Sequence, residues 1–307
     1  MKQQRLQPIP AGLRDLRSFA LQAQEPTTGP ISQQTASLRR WRRDLAVRLE
    51  VGSAWDSGSR RKASPNEDSL VALQGTCIYN ERLHPFGLFV VADGMGGHAY
   101  GKDASFLAIQ AIVQAVLAGI TGSEGMSEEL LPEVLIDAVR QANRVVYRRG
   151  IEVAAYMGTT ITAALVLDTT AYIVNVGDSR TYLYRESEGL LQITRDHSVV
   201  ARLVESGAIE PDEIYTHPDR NQVYRGLGTG AQVEVDWFKQ RLQVDDRLLL
   251  CSDGLWEMVR DPHIGDILRQ LQRSPGEMCE RLVAAAIKGG GLDNISAIVV
   301  HVAPVLG

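Results

Sequence analysis

Helical segments in this sequence are grouped in pairs between runs of predicted strands, and this grouping constrains the fold more than any other feature. Short apolar runs predict strands at residues 45–54, 69–73, 87–92, 160–167, 171–176, 180–184, 247–251 and 295–302. Apolar residues at helical spacing predict one pair of helices at residues 104–117 and 128–147, and a second pair at 263–271 and 275–288. Because the helices do not alternate with single strands, the pattern predicts an α+β fold with two antiparallel sheets flanked by helices.

Residues 1–44 differ in composition from the rest of the chain. They are rich in Gln, Arg, Pro and Thr, and the prolines at positions 8, 10, 26 and 30 interrupt any helix. We therefore expect a flexible basic N-terminal tail, followed by a folded domain at residues 45–303. The basic cluster at residues 39–43 is either a solvated lead-in to the first strand or a docking segment.

Residues 199–230 also differ from the strands around them. A short helical stretch at residues 200–206 is followed by Pro211, Pro218 and a polar stretch. This pattern predicts an ordered excursion from the sheet rather than a simple connection. We expect the segment to form a flap beside a site.

Composition excludes several classes of protein. The chain is 44% hydrophobic and 22% charged, which excludes a disordered protein and provides enough apolar material for a core. The three cysteines are far apart and lack paired spacing, so neither a disulfide framework nor a thiolate zinc site is indicated. The six histidines show no pair with metal-ligand spacing either.

Charge and the N-terminus bear on partners and location. The net charge is −5, and because residues 1–44 carry eight Lys and Arg against three Asp and Glu, the rest carries about −10. An acidic body argues against nucleic acid as a partner. The N-terminus lacks the apolar core of a signal peptide, and no window of about 18 residues is uninterruptedly apolar. We therefore expect a cytoplasmic protein that does not bind a membrane.

Two apolar strands end in the same way, at an aspartate followed by a glycine. One run leads into Asp93-Gly94 and the other into Asp253-Gly254. Such an ending places a carboxylate at the rim of a sheet, and the glycine lets the backbone turn so that its carbonyl also faces the rim. Further carboxylates stand at strand ends or turns, at Glu67-Asp68, Asp178 and Asp293.

Taken singly, each of these carboxylates is typical of an ordinary turn. Together they form a set of oxygen ligands without cysteine or histidine, which favours hard cations such as Mg²⁺ and Mn²⁺. Two such ions about 4 Å apart activate a shared water for attack on a phosphate ester, while an arginine neutralises the phosphate oxygens. The sequence therefore indicates a metal-dependent phosphoester hydrolase.

Seven short motifs follow one another along the chain. They are Asn66-Glu67-Asp68, Ala92-Asp93-Gly94-Met95-Gly96-Gly97-His98, Met157-Gly158-Thr159-Thr160, Gly177-Asp178-Ser179-Arg180, Asp196-His197-Ser198, Ser252-Asp253-Gly254-Leu255 and Asp293-Asn294-Ile295-Ser296. This series resembles the metal-dependent protein phosphatase family, the type 2C serine/threonine phosphatases, in its bacterial form. The resemblance covers about residues 45–303, which would be the catalytic domain. It implies a four-layer α-β-β-α sandwich with the flap subdomain near residues 199–230.

The resemblance also implies how two metal ions, and possibly a third, are held. Asp93 would bridge the two ions, and the carbonyl of Gly94 would bind one of them. Asp253 and Asp293 would complete the ligands of the other. Asp178 would hold a third, weaker ion together with Asp253.

Two further carboxylates belong to the same implied site. Glu67 would bind metal directly or through water, and Asp68 would lie behind the ligands that touch the ions. The residues that act on the substrate would then be Asp93, Asp253 and Asp293 with an arginine.

The arginine that grips the substrate phosphate in the family stands four residues before the Glu of Asn-Glu-Asp, where this chain has Ala63. Arg60 and Arg61 lie just upstream, as if two residues had been inserted. We expect Arg61 to bind the phosphate, with Arg60 as the second choice, because a planar guanidinium holds two phosphate oxygens at once. The alternative is a solvated basic turn.

The general acid is the second departure from the animal members of the family. They place a histidine two residues after the bridging aspartate, where this chain has Met95, as bacterial members do. The proton for the leaving oxygen would then come from metal-bound water or another group. His98 lies nearby and is either a direct participant or a structural residue.

The resemblance implies a Mg²⁺- or Mn²⁺-dependent protein serine/threonine phosphatase. A metal-bridging water or hydroxide would attack the phosphorus of phosphoserine or phosphothreonine in line. The expected partners are phosphorylated proteins and an antagonist Ser/Thr kinase, and the expected state is a monomer. Two alternatives stay open: a non-catalytic phosphatase-like signalling module, and a metal-dependent hydrolase of small phosphate esters.

Overall fold

In the computed structural model, which describes residues 47–79, 82–96, 99–121 and 128–305, ten strands form two five-stranded antiparallel sheets. In chain order, the first sheet contains β1 (Val47–Asp56), β8 (Arg180–Arg185), β9 (Gly189–Gln192), β11 (Arg247–Cys251) and β12 (Ile295–Pro304). Its spatial order is β1-β12-β11-β8-β9. The predicted tail at residues 1–44 and the residue His98 lie outside the described residues.

The second sheet has the spatial order β10-β7-β6-β3-β2. Its strands are β2 (Ser69–Tyr79), β3 (Arg82–Ala92), β6 (Ile161–Leu167), β7 (Thr170–Val176) and β10 (Asp236–Arg241). A separate short pair, β4 (Gly94–Met95) and β5 (Gly158–Thr159), continues beyond the end of β3. This pair fixes the direction in which the chain leaves the sheet after Asp93.

Two helices cover the outer face of each sheet. Against the second sheet lie α1 (Ala99–Thr121) and α2 (Leu131–Val153), the latter preceded by a 3₁₀ turn at Glu128–Leu130. After α3 (Val199–Glu205) and α4 (Asp253–Trp256), the helices α5 (Asp261–Leu268) and α6 (Pro275–Gly289) lie against the first sheet. The predicted α+β fold with four layers is therefore confirmed.

The core follows from the alternation of side chains along the strands. On β3, Leu88 and Val90 face α1 and α2, whereas Phe89 and Val91 face the other sheet. Side chains such as Leu250 and Ile298 meet the latter pair from the first sheet. All of these are fully buried, so the register of the central strands is fixed by burial on both faces.

Residues 199–230 form the expected flap, which contains α3 and a 3₁₀ turn at Pro211–Tyr215. At its start, Ser198 pairs with Val223 in an isolated bridge. At its end, the side chain of Asn143 on α2 accepts a hydrogen bond from the N–H of Gly228 (2.8 Å). Both ends of the flap are thus bonded to the body of the protein.

By length and composition alone, Tyr100–Thr121 within α1 would suffice to cross a membrane, the single such helix among the described residues. Its Ala104, Ala108, Ile112 and Val116 are fully buried against the sheet and α2. A core helix passes the same test of length and composition. The packing of α1 therefore accounts for its apolar sequence.

Element bounds differ from the predictions mainly at the ends. The helix predicted at residues 104–117 begins five residues earlier and ends four later, and the helix predicted at 263–271 is α5, which ends at Leu268. The strands β9 and β10 and the pair β4 and β5 were not predicted. Each is short or half exposed, so its apolar pattern is weak.

Candidate metal and active site

Asp93 is held by two threonines at the point where β3 ends. Its N–H donates to the hydroxyl of Thr160 (3.0 Å), and its carbonyl accepts from the hydroxyl of Thr159 and the N–H of Thr160 (2.8 Å each). Both threonines are fully buried. They act on the backbone of Asp93, which leaves its carboxylate free to face the site.

Asp253 begins α4, directly after β11, and is brought against the loop that precedes β12. A Cβ at Gly254 would lie 2.0 Å from the carbonyl oxygen of Asn294, so only glycine allows this approach. The indole of Trp256 donates to the carbonyl of Asp178 (2.9 Å). These contacts gather Asp178, Asp253 and Asp293 at one edge of the sandwich.

Glu67 and Asp68 reach the same edge from the loop between β1 and β2. The N–H of Glu67 donates to Asn294 Oδ1 (2.8 Å), and its carbonyl accepts from the hydroxyl of Ser105 on α1 (2.6 Å). Asp68 Oδ2 accepts from the hydroxyl of Ser252 (2.8 Å). The loop is thereby tied to α1 and to both strands that carry the other aspartates.

The first turn of α1 brings Gly101 against this loop. A Cβ at position 101 would lie 2.5 Å from Glu67 Oε1 and 2.8 Å from the carbonyl oxygen of Gly94. These two predicted ligand atoms therefore face the same glycine. The absence of a side chain at position 101 is what lets both oxygens occupy this place.

Burial and mutual repulsion raise the pKa values of four carboxyl groups in this site. Burial, with repulsion from Asp253 and Asp68, raises the pKa of Asp93 well above its usual value. Burial and repulsion from Asp178 and Asp293 do the same to Asp253. Burial also raises the pKa of Asp68 to about 6, despite its bond from Ser252, and that of Asp178 to about 7. The carboxylates can all be ionised together only if cations compensate their charge.

Three buried carboxylate oxygens have no hydrogen-bond partner among the described residues: Glu67 Oε1, Asp68 Oδ1 and Asp253 Oδ1. An unpartnered buried carboxylate oxygen is costly, and a bound cation removes that cost. The donor set consists of oxygens alone, which suits Mg²⁺ or Mn²⁺. The residues present therefore fit the metal ions that the sequence implies.

Arg61 lies inside this site, whereas Arg60 is exposed at its rim. The guanidinium of Arg61 donates to Asp293 Oδ1 through Nη1 and to Glu67 Oε2 through Nη2. Burial lowers the pKa of Arg61, but the bonds to Asp293 and Glu67 outweigh it and raise the pKa overall. In the described part of the chain, no group of three His, Cys, Asp or Glu side chains is arranged around one metal position. Arg61 lies between two of the predicted ligands, Asp293 and Glu67.

The side chain of Met95 does not point into the site, although a histidine at this position would be expected to do so. Its methyl group lies 2.6 Å from where a Cβ at Gly226 would be and 3.4 Å from the same position at Gly158. The methyl of Thr229 borders both glycines. Met95 therefore occupies a slot, the Met95 slot, formed by β5 and by the end of the flap.

His197 and Arg180 support the hairpin that carries Asp178. The ring nitrogen Nδ1 of His197 accepts from the backbone N–H of Gly177 (3.0 Å). The backbone N–H of His197 donates to the carbonyl of Gly177 (2.9 Å). Arg180 is buried, stacks on Trp256 at 3.5 Å, and holds Asp196 with two nitrogens. Both residues therefore act on the frame of the site.

Sequence reasoning missed four residues that build the site: Asn294, Ser252, Gly101 and Glu257. The first two stand within motifs that drew attention to their neighbours only. Glu257 follows Asp253 by one helical turn, and burial raises its pKa against the attraction of Arg220 from the flap. The helical spacing of Glu257 was a usable signal, whereas nothing local marks Gly101.

Comparison with known protein families gives one match that spans most of the chain. The family model described as protein phosphatase 2C matches residues 57–285. The match begins just before Arg61 and includes each predicted ligand except Asp293.

Individual relatives and solved structures agree with this match. The chain is 37% identical to the serine/threonine phosphatase Stp of Listeria welshimeri over 241 residues, covering 77% of this chain and 90% of Stp. It is 38% identical to the serine/threonine protein phosphatase PstP of Mycobacterium tuberculosis over 218 residues, covering 70% of this chain and 40% of PstP. The crystal structure of the latter phosphatase superposes with a TM-score of 0.71 at 35% identity, covering 84% of this chain and 99% of the other. A structure of the PstP catalytic domain in complex with two manganese ions superposes with a TM-score of 0.68, and it covers the same 84% of this chain and 99% of the other.

Proposed function

This chain belongs to the protein phosphatase 2C family, and from that premise we propose that it is a Mg²⁺- or Mn²⁺-dependent phosphatase of phosphoserine and phosphothreonine in proteins. Its relatives bear the name serine/threonine phosphatase, and one was solved with two manganese ions. Phosphorylated proteins are accordingly its proposed substrates.

The observation that carries the proposal is the set of three unpartnered carboxylate oxygens at the edge of the sandwich. Asp93, the Gly94 carbonyl, Asp253 and Asp293 would hold two metal ions, with Glu67 and Asp68 beside them and Asp178 at an optional third. When bound, such ions lower the pKa of a coordinated water and neutralise charge on the phosphate. The pKa values of Asp93 and Asp253, raised well above their usual range, and that of Asp178, about 7, support a site whose carboxylates need cations to be fully ionised at neutral pH.

Arg61 is the proposed phosphate-binding residue. Its guanidinium already bonds to two anionic groups in the site, and its fork geometry suits two phosphate oxygens equally well. Arg60, which is exposed at the rim, is the second candidate. The proton for the leaving serine or threonine oxygen would come from metal-bound water or from another group such as His98, since Met95 cannot supply one.

We extend the proposal to the setting in which the enzyme works. A phosphatase of phosphoserine and phosphothreonine requires a Ser/Thr kinase that acts on the same proteins. The proposed state is a cytoplasmic monomer that binds neither nucleic acid nor membrane, and the acidity of the folded domain supports the exclusion of nucleic acid. Residues 1–44 are proposed to be a tail outside the catalytic domain at residues 45–303.

Chelation and restoration of metal on the full chain test this proposal. The protein is treated with EDTA, dialysed, and assayed for phosphate release from a phosphothreonine peptide with and without Mn²⁺ or Mg²⁺. We expect no hydrolysis without metal, recovery with it, and, for Asp253→Asn with metal, a kcat/KM lower by about three orders of magnitude. Faster hydrolysis of nucleotides than of phosphopeptides would favour a small-ester hydrolase. A wild-type protein that neither hydrolyses the peptide nor binds Mn²⁺ would be a non-catalytic module.

A further inference from the structure

Arg61 makes a contact that the proposed role in phosphate binding does not explain. Its two terminal nitrogens each donate to a different carboxylate, one on Asp293 and one on Glu67, and both carboxylates are predicted metal ligands. The Arg61 side chain is 27% exposed and that of Glu67 is 4% exposed. The side chain of Asp293 is 38% exposed, so the guanidinium spans one buried ligand and one that faces solvent.

The backbone around Arg61 is fixed by the loop that carries Asp293. The N–H of Arg60 donates to the carbonyl of Gly291 (3.0 Å), and the N–H of Ser64 donates to the carbonyl of Arg61 (2.8 Å). Gly58 has a φ of +75°, and a Cβ there would lie 2.1 Å from the carbonyl oxygen of Asp293. With the turn held in this way, Arg61 can change partners only by moving its side chain.

The two bonds of Arg61 compensate only part of the negative charge in the site. Arg61 bonds one oxygen of Glu67, while the other, Oε1, has no partner among the described residues. The same holds for one oxygen each of Asp68 and Asp253. A single guanidinium is thus too little charge for the cluster, and divalent cations would compensate it more completely.

We propose that Arg61 closes the metal site when metal is absent and leaves Glu67 and Asp293 when metal binds. The released guanidinium is then available for the substrate phosphate, so that one side chain links metal occupancy to phosphate recognition. The two bonds of Arg61 lower the metal affinity of the wild type, because the guanidinium and the ion compete for the same oxygens and the bonds must break before metal binds. This inference rests on the proposed function of the site.

Metal affinity of Arg61 variants tests the inference without relying on catalysis. Mn²⁺ binding to the metal-stripped full chain is measured by isothermal titration calorimetry for the wild type, Arg61→Gln, Arg61→Lys and Arg60→Gln. We expect Arg61→Gln to bind Mn²⁺ about tenfold more tightly, a typical size for a coupling between two ligands of one site. Arg60→Gln removes the same charge one residue away and is expected to stay within about twofold of the wild type.

Arg61→Lys separates the proposed contact from a general effect of charge. Lysine keeps the charge but cannot bridge two carboxylates with a planar fork. Tighter binding by both Arg61→Lys and Arg61→Gln supports the inference. Tighter binding by Arg61→Gln alone, with Arg61→Lys equal to the wild type, would assign the effect to charge and overturn it, as would unchanged or weaker binding by both.

Two further measurements keep this result distinct from the proposed function. Circular dichroism of each metal-free variant establishes whether the variant is folded. If Arg61→Gln does not fold, the Mn²⁺ affinity of Arg61→Lys decides the test. If the wild type shows metal-dependent hydrolysis but the Arg61 variants gain no affinity, the inference fails and the proposed function stands. If the wild type binds no Mn²⁺ at all, both fail.

Discussion

The side chain of Asn294 joins the two ends of the folded domain, because it accepts a hydrogen bond from the backbone N–H of Glu67 at 2.8 Å, 227 residues away. Its amide nitrogen donates to the carbonyl of Ser57 at 3.0 Å. Asn294 is 1% exposed, so water cannot replace either bond. Asn294 therefore positions the backbone of Glu67 together with the bond from Ser105 to the Glu67 carbonyl.

Replacing Asn294 should impair the metal site beyond its effect on stability. We expect Asn294→Ala to lose about 1–3 kcal/mol of unfolding free energy, since two buried backbone groups lose their partner, and to bind Mn²⁺ at least tenfold more weakly. Asn143→Ala is the matched control, because Asn143 is equally buried and bonds to Gly228 and Gly230 at the flap. A similar loss of Mn²⁺ affinity in both variants would contradict a specific role for Asn294. Urea unfolding and calorimetry measure the two quantities.

Gly101→Ala should weaken metal binding although alanine favours helices. Helix propensity alone would stabilise the variant by about 1 kcal/mol, but the new Cβ would lie 2.5 Å from Glu67 Oε1. We expect at least a tenfold loss of Mn²⁺ affinity. In Gly265→Ala, on α5, the new Cβ would lie 3.5 Å from that of Leu190, which is ordinary contact. Gly265→Ala should keep the Mn²⁺ affinity of the wild type. If Gly101→Ala also kept that affinity, the role assigned to Gly101 would be refuted.

The three aspartates at strand ends should differ in their importance. We expect Asp93→Asn and Asp253→Asn each to lower kcat/KM by about three orders of magnitude, the scale of several kcal/mol of lost charge stabilisation. Asp178→Asn should cost less than about tenfold, because the charged groups that act most strongly on the pKa of Asp178 are Asp196, Glu257 and Arg180 rather than Asp93. Steady-state kinetics at several Mn²⁺ concentrations measure this. An equal loss for Asp178→Asn and Asp253→Asn would show that no ligand is optional.

The metal-free protein should lose stability as the pH rises. The raised pKa values of Asp68 and Asp178, about 6 and about 7, mean that the folded state keeps protons that the unfolded chain releases near pH 4. Their stabilisation is complete below about pH 4 and is lost as the pH rises through about 7, and Asp93 and Asp253 extend the loss upward. The pKa of His197, lowered by burial, gives the opposite slope, but only below about pH 6.5.

We therefore expect the unfolding temperature in EDTA to be several degrees lower at pH 8 than at pH 6.5, as a change of 1–2 kcal/mol would give. Asp178→Asn should reduce this difference. Saturating Mn²⁺ should reduce it as well, because metal binds the ionised carboxylates. A metal-free wild type that is more stable at pH 8 than at pH 6.5 would contradict the predicted sign.

The sequence predicted best those elements whose residues are buried on both faces. The strands β6, β7, β8 and β11 differ from their predicted bounds by at most one residue at either end, because a continuous apolar run marks them directly. The outer strands β9 and β10 were missed, since half of their residues face solvent and their apolar runs are short. The edge strands β1 and β2 were predicted nonetheless, so the length of the apolar pattern, and not edge position alone, decided which strands could be predicted.

The candidate site was predictable where it depends on strand ends and was not where it depends on distant partners. An aspartate after an apolar run is visible in the sequence, so Asp93 and Asp253 were identified without the structure. The bond from Arg61 to Asp293 spans 232 residues, and no local pattern encodes such a contact. The same applies to Gly101, whose importance comes from the oxygens of Glu67 and Gly94 that face it.

The Met95 slot means that the flap is not an exchangeable module. The residue that follows the Asp93-Gly94 turn is shaped to glycines at positions 158 and 226, one in the sheet region and one at the exit of the flap. A flap transplanted from another phosphatase must therefore bring a residue 226 that accepts this methionine, or be accompanied by a change at position 95. In laboratory recombination, and in natural divergence of substrate preference, these positions are expected to be inherited together.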